Sequence, residues 1–180
     1  MHWMYTNRLT ETIEQGPLSS NTFSGMKQLR YINLQKNRLR GSLPASIGEC
    51  QHLYYADLSY NEITGAIPSS MYEIGKRIKV FENERKSHHN QWYCVGTELH
   101  YLNIQNNQIE GTLDDDIGRM TRLQSLIANH NRLSGTLPEA SGAMRSLEVL
   151  DLAQTQISGT IPSSMDCTWL WCRDFSANSS

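Results

Sequence analysis

Residues 99–122 read LHYLNIQNNQIEGTLDDDIGRMTR, and residues 123–146, which follow directly, read LQSLIANHNRLSGTLPEASGAMRS. Both segments are 24 residues long and carry their leucines, asparagine and glycine at the same positions. Further segments on this template begin at Leu29, Leu53 and Leu147, which makes five units that follow LxxLxLxxNxLxGxLPxxIGxM. A period of this length predicts a solenoid in which each unit forms one coil.

Each unit begins with the pattern of a short strand. Counted from the first leucine of a unit, positions one, four and six are apolar and alternate with polar residues, as in Leu99, Leu102 and Ile104. Such alternation is typical of a strand with one buried face. Stacked coils of equal length place these strands side by side and parallel. We therefore expect an α/β repeat solenoid: a curved coil with a short-stranded parallel sheet on its concave face and short helical or 3-10 segments on its convex side.

An asparagine follows the strand in the first four of the five units. An amide side chain has both donors and an acceptor, so stacked asparagines can bond buried backbone groups of adjacent coils. We predict a structural role for Asn37, Asn61, Asn107 and Asn131.

The second half of most units carries the motif GxLP or GxIP, as at 135–138 and 159–162. With the LxxLxLxxN half, these units resemble the leucine-rich repeat family, and within it the plant-type class of 24-residue repeats; the match covers about two thirds of the chain. The resemblance implies a right-handed coil and a non-catalytic protein-binding module of the receptor-like kind. Two alternatives stay open: an inhibitor of secreted polysaccharide hydrolases, and an intracellular scaffold.

The repeats divide the chain into a partial N-terminal repeat without a cap (1–28), two regular repeats (29–74), a degenerate repeat or inserted loop (75–98), three regular repeats (99–166) and a C-terminal cap with its tail (167–180). We expect no strand in the coil that would begin at Trp171. Plant-type members normally begin with a cysteine-flanked cap, so the resemblance implies a piece of a longer protein. The compartment is left open: extracellular or membrane-attached for a piece of a receptor-like protein, cytoplasmic for a complete chain.

The segment 75–98 lacks the template. A degenerate coil with Ile78, Val80 and Phe81 as its strand is the favoured alternative, because the 22 extra residues match a legitimate repeat length. An inserted loop is the other, and long loops are often functional. The spacing of its two histidines and one cysteine fits no structural zinc site, so we predict no metal.

Residues between the core leucines of each strand point onto the concave face. The candidate partner-binding residues are Tyr31, Asn33, Gln35, Tyr55, Asp57, Ser59, Tyr60, Tyr101, Asn103, Gln105 and His130. Tyrosine combines rigid apolar area with a polar tip and is enriched at binding surfaces. We expect Tyr31 and Tyr55 to be adjacent and to form an aromatic patch with Tyr60. Because the face carries few charges, we predict a protein or peptide partner, with a carbohydrate as the alternative.

Other functions find little support in the sequence. The 16 basic and 18 acidic residues are interspersed, which argues against a nucleic-acid partner. The apolar runs are far shorter than the roughly 20 residues of a membrane-spanning helix. Catalytic and cofactor motifs are absent from the sequence, so we predict neither an enzyme nor a cofactor. The acidic run 114–116 occupies the Pro-Ala-Ser slot of other units, where a carboxylate can cap a helical turn. The oligomeric state is left open.

The cysteines differ in setting. Cys50 aligns with Met120 and Met144 at a core position, which predicts a buried and inert thiol. Cys167 and Cys172 lie close together in sequence and form a possible disulfide in an oxidising compartment.

Overall fold

A computed structural model describes residues 17–75 and 98–165, together with the backbone of 172–174. The first strand of each coil joins a six-stranded parallel sheet, and neighbouring strands pair at equivalent positions. Its strands, in spatial order, are β1 (Tyr31–Asn33), β3 (Tyr55–Asp57), β5 (Tyr101–Asn103), β7 (Ser125–Ile127), β9 (Val149–Asp151) and β11 (Cys172–Asp174). This is the predicted concave sheet.

A second parallel sheet lies after the turn that follows each of these strands. It contains β2 (Arg40–Ser42), β4 (Glu62–Gly65), β6 (Gln108–Thr112), β8 (Arg132–Thr136) and β10 (Gln156–Ser158). The repeat pattern predicted only one strand in each coil, so the second sheet corrects that prediction. Each of the first four strands includes the repeated glycine, which has a positive φ such as 89° at Gly111. A glycine in this conformation interrupts the apolar alternation by which a strand is recognised.

The convex side consists of short 3-10 helices, as predicted: η1 (Ala45–Glu49), η2 (Ser69–Glu73), η3 (Asp115–Arg119) and η4 (Glu139–Ala143). Three of them follow a proline that provides no side-chain cap. Helix η3 instead follows Asp114, whose carboxylate accepts a hydrogen bond of 2.9 Å from the backbone N–H of Asp116. The acidic run therefore caps a turn.

The repeated apolar positions form one continuous core along the stack. Cys50 is fully buried in it as a free cysteine, and burial raises the pKa of its thiol to about 12. On the convex side the coils approach so closely that a Cβ on Gly118 would lie 2.3 Å from the carbonyl oxygen of Ala140. Only glycine fits at that position, so it sets the spacing between η3 and η4.

The repeated asparagines join successive coils. The side-chain oxygens of Asn61, Asn107 and Asn131 accept hydrogen bonds of 3.1, 3.0 and 2.9 Å from backbone N–H groups of the preceding coil. Their amide groups donate to carbonyl oxygens of both coils, for example those of Leu34 and Leu58. Asn37 donates to two carbonyls of its own coil. Buried backbone groups inside the turn are satisfied in this way.

The two ends of the irregular segment meet. The backbone N–H of Glu98 donates to the carbonyl of Ile74 at 3.2 Å, and β3 pairs directly with β5. The predicted strand of Ile78, Val80 and Phe81 lies outside the described residues.

The expectation that no strand follows the fifth unit is wrong. Backbone residues Cys172–Asp174 form β11, which pairs with β9 so that Cys172 lies opposite Val149. Pairing satisfies backbone groups that the edge of β9 would otherwise expose. Cys167 and the side chain of Cys172 lie outside the described residues, so the possible disulfide stays a prediction. Within the described part of the chain, no helix is long and apolar enough to cross a bilayer.

Candidate functional site

Three tyrosines at position three of successive strands stack face to face on the concave sheet. The ring centroids of Tyr31 and Tyr55 are 4.3 Å apart with an interplanar angle of 6°, and those of Tyr55 and Tyr101 are 4.4 Å apart at 2°. These spacings follow the distance of about 4.8 Å between neighbouring strands. We call Tyr31, Tyr55 and Tyr101 the tyrosine ladder.

Hydrogen bonds hold the ladder at its polar end. The hydroxyl of Tyr55 donates to the Asp57 carboxylate at 3.5 Å, and the hydroxyl of Tyr101 accepts from the Asn103 amide at 3.3 Å. Burial raises the pKa of Tyr55 above its usual value, and the nearby Tyr101 and Asp57 raise it further. The hydroxyl of Tyr55 therefore stays protonated well beyond neutral pH and remains a hydrogen-bond donor.

The polar side chains at position five accept hydrogen bonds from the backbone just beyond the end of their own strand. Asp57 accepts hydrogen bonds from the backbone N–H and the hydroxyl of Ser59 at 3.0 and 2.7 Å, and Asn103 accepts one from the N–H of Gln105 at 3.1 Å. Asp57, Ser59 and Asn103 are only 4%, 1% and 4% exposed. Side chains so deeply buried have almost no surface to offer a partner. They stabilise the strand ends that present the ladder, and their contact with a partner stays a prediction.

The remaining predicted contacts are more accessible. Asn33 and Gln105 are half-buried, and Gln35 and His130 are exposed. Like Asn103, Asn33 accepts a hydrogen bond from a backbone N–H two residues on, at 3.3 Å from Gln35.

Position eight forms a rim beside the sheet in which every residue has a left-handed backbone. The φ angles lie between 52° and 55° at Lys36, Tyr60, Asn106, His130 and Gln154. The ammonium of Lys36 lies 5.9 Å from the centroid of the Tyr60 ring. Tyr60 thus pairs with a cation on the rim. We had expected it to form an aromatic patch with Tyr31 and Tyr55 instead.

A second aromatic pair, which we had not predicted, lies at position two. The rings of Tyr54 and His100 stack with centroids 4.2 Å apart, and Tyr54 is exposed. His100 Nδ1 lies 2.6 Å from the carbonyl oxygen of Glu98, so Nδ1 carries the proton when the ring is neutral. Their shared position two was a usable signal, but the irregular segment 75–98 separates them in sequence.

A groove on the opposite flank lies beside Gly75, and glutamates 49, 73 and 98 are among its lining residues. All three carboxylates are engaged. Glu49 accepts a backbone N–H at 2.9 Å, Glu73 bonds Arg119 at 3.0 Å, and Glu98 bonds Arg122 at 3.2 Å. Within the described residues, no group of three or more histidine, cysteine or acidic side chains is placed to hold a metal ion.

The coil and its two sheets define a leucine-rich repeat solenoid. The family model for Leucine Rich Repeat matches residues 28–50, 98–120, 122–144 and 146–167, which is just over half of the chain. The chain therefore belongs to the leucine-rich repeat family. A search of curated proteins found no significant match.

Solved structures with the same fold are ectodomains of plant receptor kinases, which confirms the plant-type resemblance. The Arabidopsis receptor kinase HAESA, in complex with the peptide hormone IDA and the co-receptor SERK1, is 25% identical with a TM-score of 0.74; the alignment covers 91% of this chain and 24% of HAESA. The GASSHO1/SCHENGEN3 ectodomain from Arabidopsis thaliana, in complex with CASPARIAN STRIP INTEGRITY FACTOR 2, is 27% identical with a TM-score of 0.73, covering 90% of this chain and 17% of that one. The SOBIR1 ectodomain from Arabidopsis thaliana is 25% identical with a TM-score of 0.64, covering 80% and 67%. This chain thus spans about a quarter or less of the first two.

Proposed function

We propose that this chain is a non-catalytic module that holds a peptide or protein partner on its concave sheet, with the tyrosine ladder as the central contact. The observation that carries the proposal is the stacking of three tyrosines in register on a nearly uncharged face. Stacked and hydrogen-bonded rings lose little side-chain freedom when a partner binds, which favours affinity.

The ladder suits a peptide better than a carbohydrate. Sugars pack against the open faces of aromatic rings, and both faces of Tyr55 are covered by its neighbours. At Tyr55, the ring edge and the hydroxyl group remain for contact. Hydroxyls suit the backbone amides and carbonyls of an extended peptide, and ring edges suit its apolar side chains.

The similar structures support the same proposal. HAESA is bound to a peptide hormone and a co-receptor, and GASSHO1/SCHENGEN3 to CASPARIAN STRIP INTEGRITY FACTOR 2. By analogy with these ectodomains, we assign the chain to the extracellular space or to the outer side of a membrane-attached receptor. An open sheet surface also suits binding better than catalysis, because it does not enclose a reacting group away from water.

The test is a selection of random short peptides displayed on phage against the whole chain. The affinity of an enriched peptide is then measured by calorimetry for the parent chain and for Tyr31→Ala and Tyr55→Ala. We expect the Kd to rise about tenfold or more in both variants, as for a central aromatic anchor. Tyr55→Phe, which keeps the ring, should lose less.

The matched control is Tyr54→Ala, which removes an exposed tyrosine outside the ladder. Its Kd should change by less than about threefold. Circular dichroism melting curves check that each variant is folded. The proposal fails if no peptide is enriched, or if Tyr54→Ala weakens binding as much as Tyr55→Ala does.

A further inference from the structure

The tyrosine ladder stops at a small residue. One face of Tyr101 stacks on Tyr55, and the next residue in register on its other side is Ser125, followed by Val149. A serine side chain does not reach the height of a tyrosine ring above the sheet. Two strand spacings separate Tyr101 from Val149, about 10 Å, and the ladder uses 4.4 Å per ring. One planar group therefore fits above Ser125, between the Tyr101 ring and Val149.

The charge on this part of the sheet is negative. Among the first eight positions of the units that begin at residues 99, 123 and 147, the ionised side chains at neutral pH are Glu148 and Asp151, and there is no lysine or arginine. The other titratable groups there are two histidines and Tyr101. The same positions of the first two units hold two basic residues, Arg30 and Lys36. On the neighbouring strand β11, Arg173 lies opposite Leu150 and the acidic Asp174 lies opposite Asp151, so β11 adds one charge of each sign. A cationic group is therefore favoured beside the gap over Ser125.

Asp151 can serve such a group. It is half-buried and lies two residues beyond Val149 on β9, within the length of an arginine side chain placed over Ser125. One carboxylate oxygen accepts the backbone N–H of Ala153 at 3.1 Å, and the other accepts the amide of Asn129 at 2.5 Å. A carboxylate has about four acceptor sites, so capacity remains for a charged donor.

We propose that the gap over Ser125 receives an arginine side chain of the bound peptide. Its guanidinium plane stacks on the open face of Tyr101 as a fourth member of the ladder and is directed toward Asp151, while its methylene groups pack on Val149. Guanidinium is planar, stacks on aromatic rings and carries the required charge, whereas lysine lacks the plane and phenylalanine lacks the charge. This inference rests on the proposed function and names one side chain of the partner.

The first test needs no variant. Four peptides of the form acetyl-Gly-Gly-X-Gly-Gly-amide, with arginine, lysine, glutamine or phenylalanine at X, are titrated into the whole isotope-labelled chain and followed by NMR. We expect the arginine peptide to bind about fivefold more tightly than the glutamine peptide, from the combined cation–π and exposed ion-pair contributions. The resonances of the Tyr101 ring and of the Ser125 amide should move most. Equal binding of the arginine and glutamine peptides, or unmoved Tyr101 resonances, would overturn the proposal.

Variants then test the gap itself. Ser125→Tyr places a fourth ring in the gap and should abolish the preference for arginine, whereas Ser125→Ala leaves the gap open and should retain it. Asp151→Asn should reduce the preference about threefold. Retention of the full preference in Ser125→Tyr would refute the proposed position.

The phage selection separates this inference from the proposed function. Peptides that bind the ladder but show neither enrichment of arginine nor sensitivity to Ser125→Tyr overturn the inference alone. If no peptide binds the sheet in either experiment, the proposed function fails as well.

Discussion

Replacement of Asn107 by alanine is the sharpest test of how the coils are held together. The side-chain oxygen of Asn107 is the acceptor for the backbone N–H of Ile63 at 3.0 Å. Its amide donates to the carbonyls of Leu58, Ile104 and Gln105 at 3.0, 3.1 and 3.2 Å. The first two carbonyls also accept hydrogen bonds from neighbouring asparagines, and the third accepts one from the backbone N–H of Tyr60. In Asn107→Ala the N–H of Ile63 loses this buried acceptor. The unsatisfied N–H accounts for most of the expected loss of stability.

The magnitude follows from these contacts. A buried N–H left unsatisfied costs about 1–3 kcal/mol, and each of the three lost donor contacts contributes about 0.5 kcal/mol because the carbonyls keep another partner. We expect Asn107→Ala to lower the free energy of unfolding by about 3 kcal/mol. For a chain of this size that corresponds to a fall in Tm of roughly 6–12 °C.

Asn37→Ala is the matched control. Asn37 donates to two carbonyls of its own coil at 3.0 and 3.3 Å and is half-buried, so its loss should cost about 1 kcal/mol. Urea denaturation followed by circular dichroism, with calorimetric melting curves, measures both variants. Equal losses for Asn37→Ala and Asn107→Ala would refute the argument that bonding between coils makes the repeated asparagine important.

Three further predictions concern packing, pH and the inserted loop. Gly118→Ala should destabilise the chain by more than about 2 kcal/mol, because the new Cβ would clash with the backbone of Ala140. Gly25, the control position, has a φ of 75° and open space around it, so Gly25→Ala should lose only about 1–2 kcal/mol. Urea denaturation measures both losses. Since burial raises the pKa of Cys50 from 9.0 to about 12, between these pH values the unfolded chain releases a proton that the folded chain keeps. The free energy of unfolding should then fall by up to about 1.4 kcal/mol per pH unit, and Cys50→Ala should reduce the loss of Tm between about pH 8 and pH 10.5; an unchanged pH dependence would contradict this. Deletion of residues 76–97 should leave a folded chain with a repeat-type circular dichroism spectrum, because a backbone hydrogen bond of 3.2 Å already joins Glu98 to Ile74. An unfolded product would contradict the prediction that this segment is an inserted loop.

The candidate site was only partly readable from sequence. The register of Tyr31 and Tyr55 follows from the 24-residue period, because equivalent positions of successive coils become neighbours. Whether Tyr101 joins them depends on whether the irregular segment inserts a strand between β3 and β5, and periodicity does not answer that question. The depth of Asp57 and Ser59 was also hidden. A residue that points away from the core leucines can still be buried by a turn that folds over it.

The sequence alone determined the repeat, the buried leucine positions, the first sheet and the role of the acidic run. All of these follow from local patterns that recur at a constant period. Tertiary structure decided the second sheet, the sixth strand at β11, the direct pairing of β3 with β5 and the stacking of Tyr101 on Tyr55. These features depend on contacts of backbone edges and side chains between coils. Such contacts join residues that are far apart in sequence, so a local pattern does not reveal them.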